Sequence, residues 1–123
     1  MKLQNPPSTP APNRGNVILV PYPNSNLQSA KLRPALVIQA DNLNTGLPQA
    51  VVVMISSNLA RTGHSSRVLV QPTTPSGSQS GLLTDSVVMT DNLATIAFSA
   101  IVRMIGTMPM NDVDTALRHT LSL

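Results

Sequence analysis

The sequence predicts a mainly β domain: a small, mostly antiparallel barrel of about six short strands, closed by a C-terminal helix. Three observations carry this. Apolar, β-branched runs recur along the chain, separated by clusters of Pro, Gly, Ser, Thr and Asn. Long helical patterns do not alternate with those runs, as a parallel α/β array would require. Only the C-terminal stretch switches to helical periodicity. The length of 123 residues fits a single domain with one core.

The elements follow in order. Residues 1–13 read as a disordered tail, and residues 14–123 as the folded domain. The stretch from Asn5 to Asn13 holds four prolines and no aliphatic residue larger than Ala. It cannot bury enough surface to offset its ordering entropy. Val17-Ile18-Leu19-Val20 is apolar without a break, as in a strand covered on both faces. Ala35-Leu36-Val37-Ile38 is the second strand, with Pro34 expected at its first position because proline cannot donate to an interior ladder. Ala50 to Ile55 is β-branched and apolar. Arg67 to Gln71, Ser86 to Thr90 and Ile101 to Ile105 complete the set, and the stretch from Pro72 to Gly81 reads as a loop. Met110, Val113, Leu117 and Leu121 share one helical face, predicting a helix from about Pro109 to Leu121. Asp112 and Asp114 suit its N-terminal end, and Arg118 and His119 its C-terminal end.

Composition excludes several chemistries. The absence of Cys removes disulfides, thiolate metal sites and a thiol nucleophile. There is no Glu, so a general base must come from Asp41, Asp85, Asp91, Asp112, Asp114, His64 or His119. The glycines are scattered, with no phosphate-binding loop, and no Gly-x-Ser-x-Gly elbow occurs. No apolar run approaches the length of a membrane span, and the first thirteen residues lack the apolar stretch of a signal peptide. A cytoplasmic protein without membrane contact is expected. Eight Lys and Arg against five Asp give a net charge of +3, a weak pointer to an anionic partner.

A few polar residues stand out at strand ends. Arg33 follows the polar loop that contains Gln28 and Lys31, and Pro34 restricts its backbone. Its guanidinium can fork onto a phosphate or simply be solvated. Ser56-Ser57-Asn58 ends the third strand, either as phosphate donors or as a turn. Arg61, His64 and Arg67 follow within one loop. Asp91-Asn92 closes the fifth strand, as a turn or as a carboxylate that orients Arg33 or takes a proton. Aromatics are scarce: Tyr22 and Phe98.

In sum, Arg14-Gly15-Asn16-Val17, Arg33-Pro34-Ala35-Leu36-Val37-Ile38, Ile55-Ser56-Ser57-Asn58, the stretch from Ser86 to Ile96, Arg103-Met104-Ile105-Gly106 and Val113 to Leu117 stand in a telling order. In that order the sequence resembles the MazF/PemK family of type II toxins, from Arg14 to the C-terminus. The resemblance implies an SH3-like, CcdB/PemK-like small barrel that works as a homodimer. It implies metal-independent, sequence-specific cleavage of single-stranded RNA without a cofactor. It also implies a cognate acidic antitoxin, with DNA binding by the complex of the two. Family roles carry over to Arg33 and Ser56 as the catalytic pair and to Asp91 as a third catalytic residue. Tyr22, Gln28, Lys31, Ser57, Asn58, Arg61, His64 and Arg67 are expected to contact RNA, and His64 is a second candidate base. Four positions depart from the family pattern: Ser56 replaces Thr, Gln28 replaces Glu, Asn16 replaces Asp and Met89 replaces an Arg of some members. Those departures keep two alternatives open: a gyrase-poisoning CcdB-like toxin, or a binding module that has lost ribonuclease activity.

Overall fold

The computed structural model describes residues 11–23 and 30–123. Most of the expected tail and residues 24–29, with Gln28, lie outside the described residues, whereas Lys31, expected in the same loop, belongs to the second strand. Six strands are present: β1 (Asn16–Pro23), β2 (Ala30–Val37), β3 (Gln49–Ser56), β4 (Arg67–Val70), β5 (Ser86–Ala97) and β6 (Arg103–Thr107). A helix, α1 (Asn111–Leu121), ends the chain. All strand pairs are antiparallel, in the order β4-β5-β3-β2-β1-β6. The sheet curls as a half-barrel, and its end strands β4 and β6 do not pair with each other.

The unbroken apolar runs reflect burial on both faces of the sheet. Val17, Leu36, Val53, Ile55 and Val88 pack on one face with Val113 and Leu117 of α1. Ile18, Val20, Ala35, Val37, Val52 and Met54 pack on the other, where Phe98 and Ile101 help to cover them. Fully burying one such side chain stabilises the fold by roughly 1.5–3 kcal/mol, so these two clusters dominate folding.

Several boundaries differ from the sequence expectation, each for a physical reason. Pro34 sits inside β2 rather than at its start, paired with Leu19 of β1. The Val37 carbonyl accepts from Gly15 on the β1 side, and the Ile38 N–H donates to Val51 on the β3 side. Alternation therefore aims the Pro34 nitrogen towards β3, and the β3 ladder begins only at Ala35. The proline's missing donor lies where no partner strand asks for one.

β5 does not stop at Asp91 and Asn92. Val53 pairs with Leu93 but Met54 pairs with Met89, so Thr90, Asp91 and Asn92 bulge out and pairing resumes beyond them. Thr90 fixes the bulge. Its N–H and its hydroxyl both donate to the Ser66 carbonyl, at 3.1 and 2.7 Å, and the Thr120 hydroxyl of α1 lies 2.7 Å away. α1 starts at Asn111, without a side-chain cap, and ends on Ser122 in the left-handed region at φ 58°. β6 begins two residues later than expected, at Arg103.

Candidate functional site

Pro34 shapes the site as well as the strand. Pairing between β2 and β3 ends at Ala35 and Met54, so Arg33 and Pro34 diverge from Ile55 and Ser56. The opening is a concavity of about 300 Å³ whose walls include Lys31, Arg33, Pro34, Ile55, Ser56 and Ser57. Gly81 to Thr84 roof one side of it. Gly81 adopts φ +74°, and a Cβ there would stand 2.0 Å from the Ile105 carbonyl oxygen, so the roof can approach β6 only with glycine at this position. A second concavity of about 140 Å³ adjoins the first, and Ser56 lines both. Its walls include Asn58, Arg61, Arg67 and Met89.

The strand-end serine does two jobs. Its Oγ accepts the Asn58 N–H at 3.0 Å, and Asn58 Oδ1 accepts the Ala60 N–H at 3.0 Å. Both side chains thus make the local turns that the sequence allowed. The Ser56 hydroxyl hydrogen has no acceptor among the described residues and is free to donate to a ligand.

Electrostatically the walls are one-sided. Lys31, Arg33 and Arg103 line the first concavity, and Arg61 and Arg67 the second. No Asp or His lines either wall among the described residues. Asp41 accepts the Arg14 N–H, Asp85 accepts from Gln71, and Asp114 pairs with Arg14. Asp91 lies not against Arg33 but against Arg67, with Oδ2 3.1 Å from Nη2. The Nε atoms of Arg33 and Arg67 are shielded from solvent and have no hydrogen-bond partner among the described residues.

Other expected residues lie apart from the walls. Nδ1 of His64 accepts the Ser66 N–H at 3.1 Å, and the ring meets His119 of α1 edge-on, 6.4 Å between centroids. Tyr22 is exposed beside Lys31. Gln28 lies outside the described residues. Arg103 stood in one of the segments that carry the resemblance but not among the expected site residues: it is an exposed residue at a strand start, and its pairing with Leu19 brings it to the site. Among the described residues no three of His, Asp, Glu or Cys gather as metal ligands, and no helix is long and apolar enough to cross a membrane. The walls present guanidinium, ammonium and hydroxyl donors, an arrangement suited to a polyanion.

Comparison with known proteins gives a consistent picture. A family model described as a PemK-like, MazF-like toxin of type II toxin–antitoxin systems matches residues 13–121. The chain is 34% identical over 105 residues to endoribonuclease MazF2 of Mycobacterium bovis and to endoribonuclease MazF6 of Mycobacterium tuberculosis. Each alignment covers 82% of this chain and 88% of the relative. Among solved structures, a mycobacterial endoribonuclease in complex with its cognate antitoxin superposes with a TM-score of 0.69 at 24% identity, covering 92% of this chain and 97% of that one. The MazF of a MazE–MazF complex from Deinococcus radiodurans superposes with a TM-score of 0.67 at 16% identity, covering 92% and 97%. Both share the fold described above.

Proposed function

This chain belongs to the PemK-like, MazF-like toxin family of type II toxin–antitoxin systems, and from that membership we infer that it is an endoribonuclease that cuts single-stranded RNA. The observation that carries the reading is that Arg33 and Ser56 line the same cleft, bordered by five cationic side chains and no carboxylate among the described residues. The substrate's 2′-OH attacks the adjacent phosphorus, the bond to the 5′-oxygen breaks, and the products carry a 2′,3′-cyclic phosphate and a 5′-OH. Negative charge builds on the non-bridging oxygens as phosphorus becomes pentacoordinate. Arg33 stabilises that charge through charge-assisted hydrogen bonds, and the O–H of Ser56 holds a non-bridging oxygen. Lys31 and Arg103 draw the backbone into the cleft. Ser57, Asn58 and Arg61 extend the contact along the strand, and Tyr22 offers a ring for stacking outside the cleft.

In this reading water receives the 2′-OH proton and supplies one to the departing 5′-oxygen, since no Asp or His stands on the walls among the described residues. A homodimer and an acidic antitoxin complete the proposal. The same cationic walls that hold RNA suit an acidic antitoxin segment, which would block the cleft by competition. A cytoplasmic location follows from the substrate. The test is expression in a bacterial host: growth arrest with new 5′-OH ends in cellular RNA is expected, and Arg33→Ala removes both. Arrest without such ends, together with altered plasmid supercoiling, would point to a gyrase poison instead. RNA binding without arrest would mark an inactive binding module.

A further inference from the structure

We propose that Arg67, held in place by Asp91, is a second anion site that grips a phosphate next to the one being cleaved, and that Asp91 positions Arg67 rather than moving a proton. This rests on the ribonuclease reading above. Buried polar groups in folded proteins almost always have partners, so each exception asks for an explanation. Among the described residues two shielded side-chain polar atoms lack one, Nε of Arg33 and Nε of Arg67. They belong to two of the four arginines that line the two adjoining concavities, Arg33 in the first and Arg67 in the second, and Ser56 lines both. One such arginine on each of two adjoining concavities, with a hydroxyl shared between the two, suits a chain of phosphates better than a single ion.

The geometry at Asp91 fits a supporting role. Its Oδ2 takes one N–H of Arg67, on Nη2, and a guanidinium has five N–H donors in a rigid plane. The carboxylate therefore fixes the plane and leaves the other donors to a ligand. Asp91 sits on the β5 bulge, and the bulge is tied through Thr90 to the carbonyl of Ser66, the residue before Arg67. Both ends of the ion pair are thus anchored to the same piece of backbone. Asp91 itself lines neither wall, whereas Arg67 lines the second. Arg61 on that wall supplies net positive charge, so the neutralising effect of Asp91 on Arg67 does not repel an incoming phosphate.

The first measurement is the salt dependence of binding to a mixed-sequence, unstructured RNA, made with Arg33→Ala as the non-cutting background. Adding Arg67→Ala should weaken binding about tenfold and reduce the slope of log K against log salt by about 0.7, the loss of one single-strand phosphate contact. Asp91→Ala should do nearly the same, and Asp91→Asn, which keeps an oxygen acceptor, should do less. Arg67→Lys should keep the slope but lose its dependence on Asp91, which guards against a simple folding defect. The second measurement uses RNA with one neutral methylphosphonate at a time around the mapped cleavage site. One non-scissile position should weaken binding with Arg67 present and have no effect once Arg67 is removed. In the otherwise native protein, Asp91→Asn should lower the cleavage rate without changing the shape of its pH profile. An unchanged slope, no Arg67-dependent phosphate, or a pH profile that loses a limb in Asp91→Asn would each overturn the proposal. If the native protein cuts RNA while the slope is indifferent to Arg67, only this proposal fails. If the slope depends on Arg67 but no RNA is cut, the nuclease reading fails, and with it the placing of this phosphate beside a scissile one. Absence of RNA binding overturns both.

Discussion

The structure contains two Arg–Asp pairs among its described residues, and they differ in what they leave open. Arg14 joins Asp114 of α1 through Nη2, and its Nε donates to the Ile38 carbonyl at 3.0 Å. Its backbone N–H is taken by Asp41. That arginine bolts the start of β1 to the end of β2 and to the helix, and it lines neither concavity of the candidate site. Arg67 is more deeply placed, 15% exposed against 30% for Arg14, yet its Nε has no partner. The same residue pair is a brace where both Nε and Nη2 have protein partners, and a binding element where Nε has none and the arginine lines a concavity. Ion pairing alone would not have told them apart; the unmatched donor does.

That contrast can be broken or sharpened by substitution. The largest effect is expected at Arg33. Arg33→Ala should lower the cleavage rate by about 10²–10³-fold, the usual loss when a donor to a developing oxyanion is removed, with little change in melting temperature. Ser56→Ala should follow, at roughly 10–100-fold, as befits a hydrogen bond to a charged oxygen. Ser56→Thr, which keeps the hydroxyl, should retain most of the rate. Single-turnover kinetics on a defined RNA would check both. Arg67→Ala comes next, at about tenfold, in KM more than in kcat if it grips a neighbouring phosphate rather than the reacting one. Arg14→Ala should be the smallest in function and visible only in stability. It should cost about 1 kcal/mol, read as a melting temperature lowered by a few degrees, with RNA affinity and its salt slope unchanged. Arg14→Ala impairing RNA binding as much as Arg67→Ala does would erase the distinction between the two pairs.

Much of this was legible in the sequence because it is local. Continuous apolar runs announced strands buried on both faces, and Val17 and Ile18 do enter opposite clusters. Arg33 and Ser56-Ser57-Asn58 stood out at strand ends and Arg61 and Arg67 in a basic loop, the resemblance gave them roles, and the fold gathers all six on the two concavities. What escaped the sequence depends on register between distant segments. The bulge at Thr90–Asn92 exists only because Val53 and Met54 choose partners four residues apart on β5. Nothing near Asp91 in the chain says that it will meet Arg67, 24 residues away. Arg103 reaches the cleft through the pairing of β6 with β1, a contact between the two ends of the domain. Pro34 is the instructive middle case. Its missing donor did forbid a central ladder, but the fold met that rule by ending the β3 ladder beside it, and the gap so formed is the cleft.

The chemistry of the cleft is tested most directly by incubating purified protein with an unstructured RNA in excess EDTA and identifying the new ends. Cleavage should proceed in the chelator, give 2′,3′-cyclic phosphate and 5′-OH termini, quicken as pH rises through the neutral range, and slow by about 10²–10³-fold in Arg33→Ala. Cutting that starts only when Mg²⁺ is restored, or that leaves 5′-phosphate ends, would contradict a reaction driven by the RNA's own 2′-OH and stabilised by Arg33 and Ser56.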